Sequence, residues 1–494
     1  MDEDYLYKYI IPDTSGIALA PRIRTQEEIT PESIRKAMQQ WSSYSLRFRM
    51  LYYAYVGLEP KGVYGSAIAE AEGDDSSRVL SNFCGYIVRS LKGYIVGNPP
   101  DYESAEGDAY AETIYDLFRK QNMEQVDANI IQDMITYGRG FELVYRANDA
   151  AGTPRSTVIN PRNGFVAFAG DVEEDSVFGA VLYTEPRDDG TTLYRLYLYT
   201  RYDVQVWESN SQDGPWEIVE GPTPHGFGRV PLIEYANNKE YMGDFENIIA
   251  LQNVYNRTLL NRVADKDAFA KSILMVMGSV LGQTPEEVDK SVETIRKGRV
   301  MHFDTDGSGA SYLEKSMDET GVQVLQDQIK SDIHKFAMVP DLSDEQFANN
   351  SSGIAMAYKL FGTDQIVAEK ALNFQKGFTR RCKLYDYALF NPMDSPTYEP
   401  LSDIGSMRVK FKINSPQDLS YMATSLSQLV SSGIISKDTA RKSLSIVSDS
   451  TVEGEKVDAE ADAQAERNRM AFESDFEAPP KVDVSEEDED ESAR

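Results

Sequence analysis
Catalysis and cofactor binding need titrating, metal-ligating or nucleophilic side chains at workable spacings, and this sequence groups few of them. Its three histidines, His225, His302 and His334, lie far apart. No His-Glu-x-x-His run and no Cys/His cluster with zinc spacing occurs. No GxxxxGK[ST] stretch is present, so no P-loop is expected, and Gly307-Ser308-Gly309 reads as a turn. The acid pair Glu286-Glu287 follows Thr284-Pro285 and reads as charge placed at a helix N-terminus, not as a catalytic dyad. Neither an enzyme, a metal nor a cofactor is expected. What the chain offers instead is a polar stretch rich in neutral hydrogen-bond donors. It holds Asp341, Ser343, Asp344, Asn349, Asn350, Ser351 and Ser352. Nearby cations are Lys330 and Lys335, with Arg296, Lys297 and Arg299 further upstream.

The stretch is bracketed by helices. Val322, Leu325, Ile329, Ile333 and Phe336 recur at steps of three and four, which predicts one apolar helix face. Asp318 and Glu319 suit the positive end of that helix. Pro340 is expected to stop it. After Asn-Asn-Ser-Ser-Gly the chain reads as a short helix from Ile354, interrupted at Gly362, and then as a long helix over 363–389 that carries Arg380 and Arg381. A polar loop of this length inside a compact protein is either functional or a plain surface loop.

The rest of the chain alternates in texture. Residues 1–29 read as an extended arm. Thr30-Pro31-Glu32 is a helix start with a capping hydroxyl and proline at the first position. Helices are expected to Val56, over 77–95, over 108–120 and over 123–137. Short β-branched and aromatic runs then predict an antiparallel sheet region over 141–235, in which the alternation of YRLYLYT is simple strand packing. A long helix is expected over 243–270, capped by Asp244, with Phe245, Ile248, Leu251, Tyr255, Leu259 and Val263 on a broad apolar side. Strands are expected at 272–277, 300–303 and 310–313, around a helix opened by a Thr284/Glu287 capping box. Two long helices thus flank a compact αβ insert of about 50 residues, which belongs at the far end of a helical hairpin. Met407–Ile413 reads as a strand. Further helices are expected from Ser415-Pro416 to Gly433, from Ser436 to Val447, and to Phe472. The acidic end lacks apolar periodicity and reads as disordered by composition. The fold class is α+β.

With 494 residues, 41% of them hydrophobic and 11% aromatic, the chain can bury a sizeable core. A net charge of −30 favours solubility and argues against tight nucleic-acid capture. Cys84 and Cys382 sit in apolar helical contexts and read as two buried thiols, consistent with a reducing compartment. The acidic, polar start MDEDYLYKY is unlike a signal peptide. The apolar run near 273–281 is too short to span a bilayer.

Several segments, in order, resemble the portal proteins of tailed double-stranded DNA bacteriophages. Pro340-Asp341-Leu342-Ser343-Asp344, then Asn350-Ser351-Ser352-Gly353-Ile354-Ala355 and Tyr358-Lys359-Leu360, is similar to their tunnel-loop region. Gly93-Tyr94-Ile95-Val96-Gly97-Asn98-Pro99-Pro100, Val230-Pro231-Leu232-Ile233-Glu234-Tyr235, Gly243-Asp244-Phe245-Glu246 and Tyr255-Asn256 extend the likeness across most of residues 30–450. The resemblance implies a wing (1–242, with the long helix after the tunnel loop), a stem hairpin (243–270 and 318–338), a clip (271–317), a tunnel loop (339–353), a region with short helix, long wing helix and return strand (354–413), a helical crown (414–472) and an acidic tail (473–494).

It further implies a ring of about twelve copies at one capsid vertex. Packing that many stem helices about 10 Å apart leaves a hole of about 28 Å, wide enough for a duplex of about 20 Å. Double-stranded DNA would pass without sequence reading during packaging and ejection. Partners implied are the packaging ATPase (terminase large subunit) at the clip, major capsid and scaffold proteins, and head–tail adaptors, but no membrane. The location implied is the virion, after assembly in the host cytoplasm. In this setting Asp341, Ser343, Asp344, Asn349, Asn350, Ser351 and Ser352 form the DNA-tunnel loop, whose neutral donors touch phosphates without strong capture. Lys330 and Lys335 steady the duplex from the stem, or are ordinary solvated helix charge. Arg296, Lys297 and Arg299 face DNA or the ATPase, or balance local acids. A non-channel capsid or adaptor protein of the head–tail junction would share the acidity without needing the helix–loop–helix stretch.

Overall fold
The computed structural model describes residues 22–25, 29–58, 81–149, 152–211, 214–270, 273–277, 284–298, 309–313, 319–342, 353–391, 400–414, 419–444, 447 and 450–475. The expected arm before residue 22, the expected strand at 300–303 and the acidic end beyond residue 475 lie outside them. The chain divides into two compact units, Met1–Ser415 and Pro416–Arg494. The composition is mixed helix and strand.

In the first unit a short strand β1 (Ile23–Thr25) leads to helix α1 (Pro31–Val56). Thr30 caps α1 as expected, and its partner in the capping box is Ser33. Helices α2 (Phe83–Val96), α3 (Ala109–Lys120) and α4 (Met123–Tyr137) follow, with strand β2 (Asp101–Glu103) between the first two. Cys84 and Cys382 are free, buried thiols, and burial pushes both well above the ordinary thiol range.

The strand region forms two sheets rather than one. Strands β3 (Arg139–Arg146), β4 (Pro154–Ile159) and β10 (Leu232–Ala236) form a three-stranded antiparallel sheet in the order β10-β3-β4. Strands β5 (Gly164–Ala169), β6 (Ser176–Pro186), β7 (Thr192–Tyr199), β8 (Asp203–Ser209) and β9 (Glu217–Pro224) continue from β1 into a six-stranded sheet. Its first pair, β1 with β5, is parallel, but β1 comes from the expected arm; the described strand pairs within the expected 141–235 region are antiparallel. A three-residue strand far from its partner carries too short a pattern to reveal direction. One face of the large sheet buries Phe165, Phe178, Leu196 and Leu198 against Trp41 of α1. Phe141, Leu143, Val166, Val181 and Leu232 form a core shared by the two sheets.

Helix α5 (Ile249–Ala270), strand β11 (Ile273–Met277), helix α6 (Pro285–Gly298), strand β12 (Gly309–Leu313) and helix α7 (Glu319–Ala337) come next. Thr284 opens α6 through the expected reciprocal bonds with Glu287. Helix α8 (Gly353–Phe390) then runs unbroken through Gly362, so the expected interruption is absent. A helical glycine costs only about 1 kcal/mol relative to alanine. Leu360, Val367, Phe374 and Phe378, buried along α8, outweigh that. Gly377 has a separate reason: a Cβ there would overlap the Tyr235 ring, so its absence lets α8 lie directly on β10. Strand β13 (Arg408–Lys410) pairs antiparallel with β2 and closes the unit.

The second unit contains helices α9 (Leu419–Ser431), α10 (Lys437–Lys442) and α11 (Ser450–Asp475). Ser436 caps α10 as expected, and Gly433 takes a positive φ of 72° just past α9.

Candidate functional site
The hairpin of α5 and α7 is antiparallel, because Arg262 near the end of α5 meets Glu319 and Gln323 at the start of α7, while Asn247 ahead of α5 donates to the Phe336 carbonyl at 2.9 Å. Lys266 also pairs with Glu319. β11 pairs antiparallel with β12, from Ile273 opposite Leu313 to Met277 opposite Gly309, so this ladder continues the hairpin at its far end. At 22 residues α5 is about 33 Å long. That is shorter than a helix starting at 243 would be.

The shortening has a clear cause. Asp244 does not cap the helix; its carboxylate accepts from Lys370 Nζ of α8 at 2.6 Å and from Asn237 at 3.2 Å. A 3-10 turn, Glu246–Ile248, intervenes before α5. Glu246 accepts from Arg47 of α1 at 2.5–3.1 Å and from the Gly243 amide. Burial pushes the Glu246 carboxyl above its ordinary range, and Arg47 offsets part of that. The expected apolar side of α5 is only partly realised. Phe245 and Ile248 are buried, Leu251 and Tyr255 are half-buried, and the buried residues of the helix proper include Gln252 and Asn256. Both serve α2: Gln252 Oε1 accepts from the Cys84 amide and Asn256 Oδ1 from the Ser81 amide, each at 2.9 Å. One helix thus satisfies free N–H groups at the start of another.

Helix α7 is rotated from its expected face. Ile329 and Ile333 are buried as predicted, but Gln326 and Ala337 complete the stripe, leaving Leu325 and Phe336 about half exposed. Its end is a Schellman turn: Val339 N donates to His334 O at 3.2 Å and Met338 N to Lys335 O at 3.3 Å. The stop therefore precedes Pro340, with Met338 at φ 52° where glycine is usual.

The predicted site residues separate here. Asp341 accepts from Lys330 Nζ at 2.6 Å and lies 3.9 Å from His334 Nε2. Lys335 is exposed in the last turn of the same helix. Ser343, Asp344, Asn349, Asn350, Ser351, Ser352 and Arg299 lie outside the described residues. Arg296 and Lys297 fall in the backbone of α6. Among the described residues no group of three or more His, Cys, Asp or Glu gathers as a metal set. No helix there is long and apolar enough to cross a membrane.

Sequence reasoning missed the residues that fix α8. Arg381 is fully buried and pairs with Asp127 of α4 at 2.7 Å and Glu142 of β3 at 2.8 Å. Burial alone would lower its pKa, but the two carboxylates hold it well above the ordinary value. Tyr102 donates to Asp127 and Tyr235 to Glu142. The sequence places Arg381 towards the end of a long helix and gives no sign of these partners.

The described residues thus build a rooted helical hairpin, a two-stranded ladder formed by strands lying between its helices in the chain, and a long helix that follows it in the chain. A profile of the phage portal protein family, SPP1 Gp6-like type, matches residues 54–467, and the chain belongs to that family. The portal protein of Bacillus phage SPP1 is 22% identical over 393 residues, covering 76% of this chain and 74% of that protein. Among solved structures, the neck of an empty gene transfer agent particle matches with a TM-score of 0.43 and 10% identity, over 79% of this chain and 96% of that one. The virion of a native gene transfer agent particle matches with a TM-score of 0.44 and 11% identity, over 72% and 88%.

Proposed function
We propose that the chain is one subunit of a ring-shaped channel at a single capsid vertex, through which double-stranded DNA is packaged and ejected. The observation that carries this is the α5/α7 hairpin, rooted on three other helices, with apolar side chains that one copy leaves uncovered. On α7 these are Val324, Leu325 and Phe336; on α8 they are Tyr358, Phe361 and Leu372, whose spacing puts them on one face. A soluble monomer has little reason to present such a set, and a neighbouring copy covers it.

In this reading α5 and α7 are the stem, residues 271–317 the clip, 339–353 the tunnel loop, 1–242 with the long helix the wing, and 414–472 the crown. The acidic balance keeps contact with DNA weak and blind to sequence. Lys330, Lys335 and the donors of 341–352 supply the contact. The clip, with Arg296, Lys297 and Arg299, receives the packaging ATPase, which carries out ATP hydrolysis. Capsid, scaffold and head–tail adaptor proteins complete the vertex. The subunits assemble in the host cytoplasm and remain in the virion.

Native mass measurement of the wild type and of a Phe361→Asp/Leu372→Asp variant tests the assembly. The wild type is expected as a closed oligomer of about twelve copies, and the variant as monomers or short arcs. A variant that assembles like the wild type would remove the α8 face from the interface.

A further inference from the structure
We propose that Tyr86 is the pin of a latch that docks the turn after α7 onto α2. The Tyr86 hydroxyl bonds twice to one strip of backbone, donating to the Pro340 carbonyl at 3.0 Å and accepting from the Leu342 amide at 3.1 Å. Between those contacts the Asp341 carboxylate turns back to Lys330 Nζ. His334 Nδ1 donates to the Val339 carbonyl at 3.0 Å. Its ring lies edge-on to Phe83 and Tyr86, with centroids 6.1 and 5.6 Å away. From α8, Thr363 Oγ1 donates to the Met338 carbonyl at 2.7 Å. Each of the five residues 338–342 is therefore held by a side chain from another part of the fold, drawn from α2, α7 and α8.

Two features make this a latch rather than ordinary packing. Met338 sits in the left-handed region, a backbone state that side-chain-bearing residues adopt only when their surroundings impose it. And both bonds to the strip end on one hydroxyl, so loss of that group frees Pro340 and Leu342 together. With the pin set, Pro340 and Leu342 are tied to α2. With it lost, Pro340 and Leu342 lose that tie, while Ile329 and Ile333 stay buried in the core. The latch thereby holds Pro340 and Leu342 within the segment assigned above to the tunnel loop, yet nothing in it depends on the ring.

Hydrogen exchange with single-amide resolution on the full-length protein tests this, comparing the wild type with Tyr86→Phe and Lys330→Met. Phenylalanine keeps the ring against His334 and removes only the hydroxyl. The Leu342 amide is expected to be protected in the wild type and to exchange about tenfold faster in Tyr86→Phe, with α7 amides unchanged. Equal Leu342 rates in the two proteins, or no protection in the wild type, would overturn the latch. Should Tyr86→Phe loosen α2 as a whole, the size of the effect decides: a rise at Leu342 larger than in α2 supports the latch and an equal rise overturns it, while Lys330→Met, which keeps the hydroxyl, is expected to leave Leu342 protected.

Discussion
Arg47 and Glu246 stand 199 positions apart in the chain and meet as a buried two-point ion pair, the guanidinium NH2 reaching Glu246 Oε1 at 2.5 Å and Oε2 at 2.7 Å. Arg47 also donates to the Tyr241 carbonyl at 3.2 Å. The pair fastens α1 to the 3-10 turn that launches α5, so the hairpin leaves the body from a charged, buried joint. Removing either partner strands the other without its counter-charge.

Glu246→Gln or Arg47→Met alone is therefore expected to destabilise the chain by about 3–5 kcal/mol, and the double variant by clearly less than the sum. Chemical denaturation of the four proteins measures this. Additive losses would show that the two residues act separately.

Lys370 gives a companion case on the other side of the joint. Its ammonium touches Asp244 and Asn237 and is almost wholly buried. Lys370→Met is expected to leave Asp244 buried and unpaired, costing about 3 kcal/mol, whereas Lys376→Met on the exposed side of α8 stays within about 0.5 kcal/mol. Equal effects would contradict the joint.

Met338 offers a test in the opposite direction. At φ 52° it occupies the C′ position of a Schellman turn, where glycine carries no steric cost. Met338→Gly is expected to be neutral or to stabilise by about 1 kcal/mol, and Met338→Val to destabilise by more than that. Thermal unfolding of both variants decides. A marked loss in the glycine variant would mean that the exposed methionine side chain itself holds the turn.

Asp133 of α4 carries the clearest pH signature. Burial raises its carboxyl from 3.8 to about 7, against the pull of Arg162 and Lys92. A folded-state pKa above the unfolded one means that the folded chain holds this proton more tightly. The group's stabilising contribution is complete below 3.8, falls as pH rises, and is gone above about 7. The stability difference between wild type and Asp133→Asn is expected to shift against the wild type across that window and to be flat above it. A difference that does not change with pH would contradict the assignment.

Features written into neighbouring residues were legible in the sequence. Thr30-Pro31 and Thr284-Pro285 announce helix starts, and both structures follow. Ile329 and Ile333 mark the buried side of α7, and the apolar surroundings of Cys84 and Cys382 foretell two buried thiols. Features made by distant partners were not. Gln252 and Asn256 share the face expected to be apolar, and only the free amides of α2 give their side chains partners there. Arg381 gives no sign of its burial, because Asp127 and Glu142 close on it from elsewhere in the chain. The Schellman turn lacks the glycine that normally marks it, so Pro340 drew the helix boundary too far along. Leu325 and Phe336 match a core pattern yet stay exposed, because a period measures which residues share a face, not what covers that face.

Single-particle electron microscopy of the purified, full-length protein tests the central claim most directly. The account predicts closed rings in which the α5/α7 hairpins stand side by side around a hole wide enough for a duplex of about 20 Å, with the exposed apolar residues of α7 and α8 covered by neighbouring copies. Particles that remain monomeric or dimeric at every concentration, even with scaffold or capsid protein added, or rings whose hairpins point away from the axis, would contradict it.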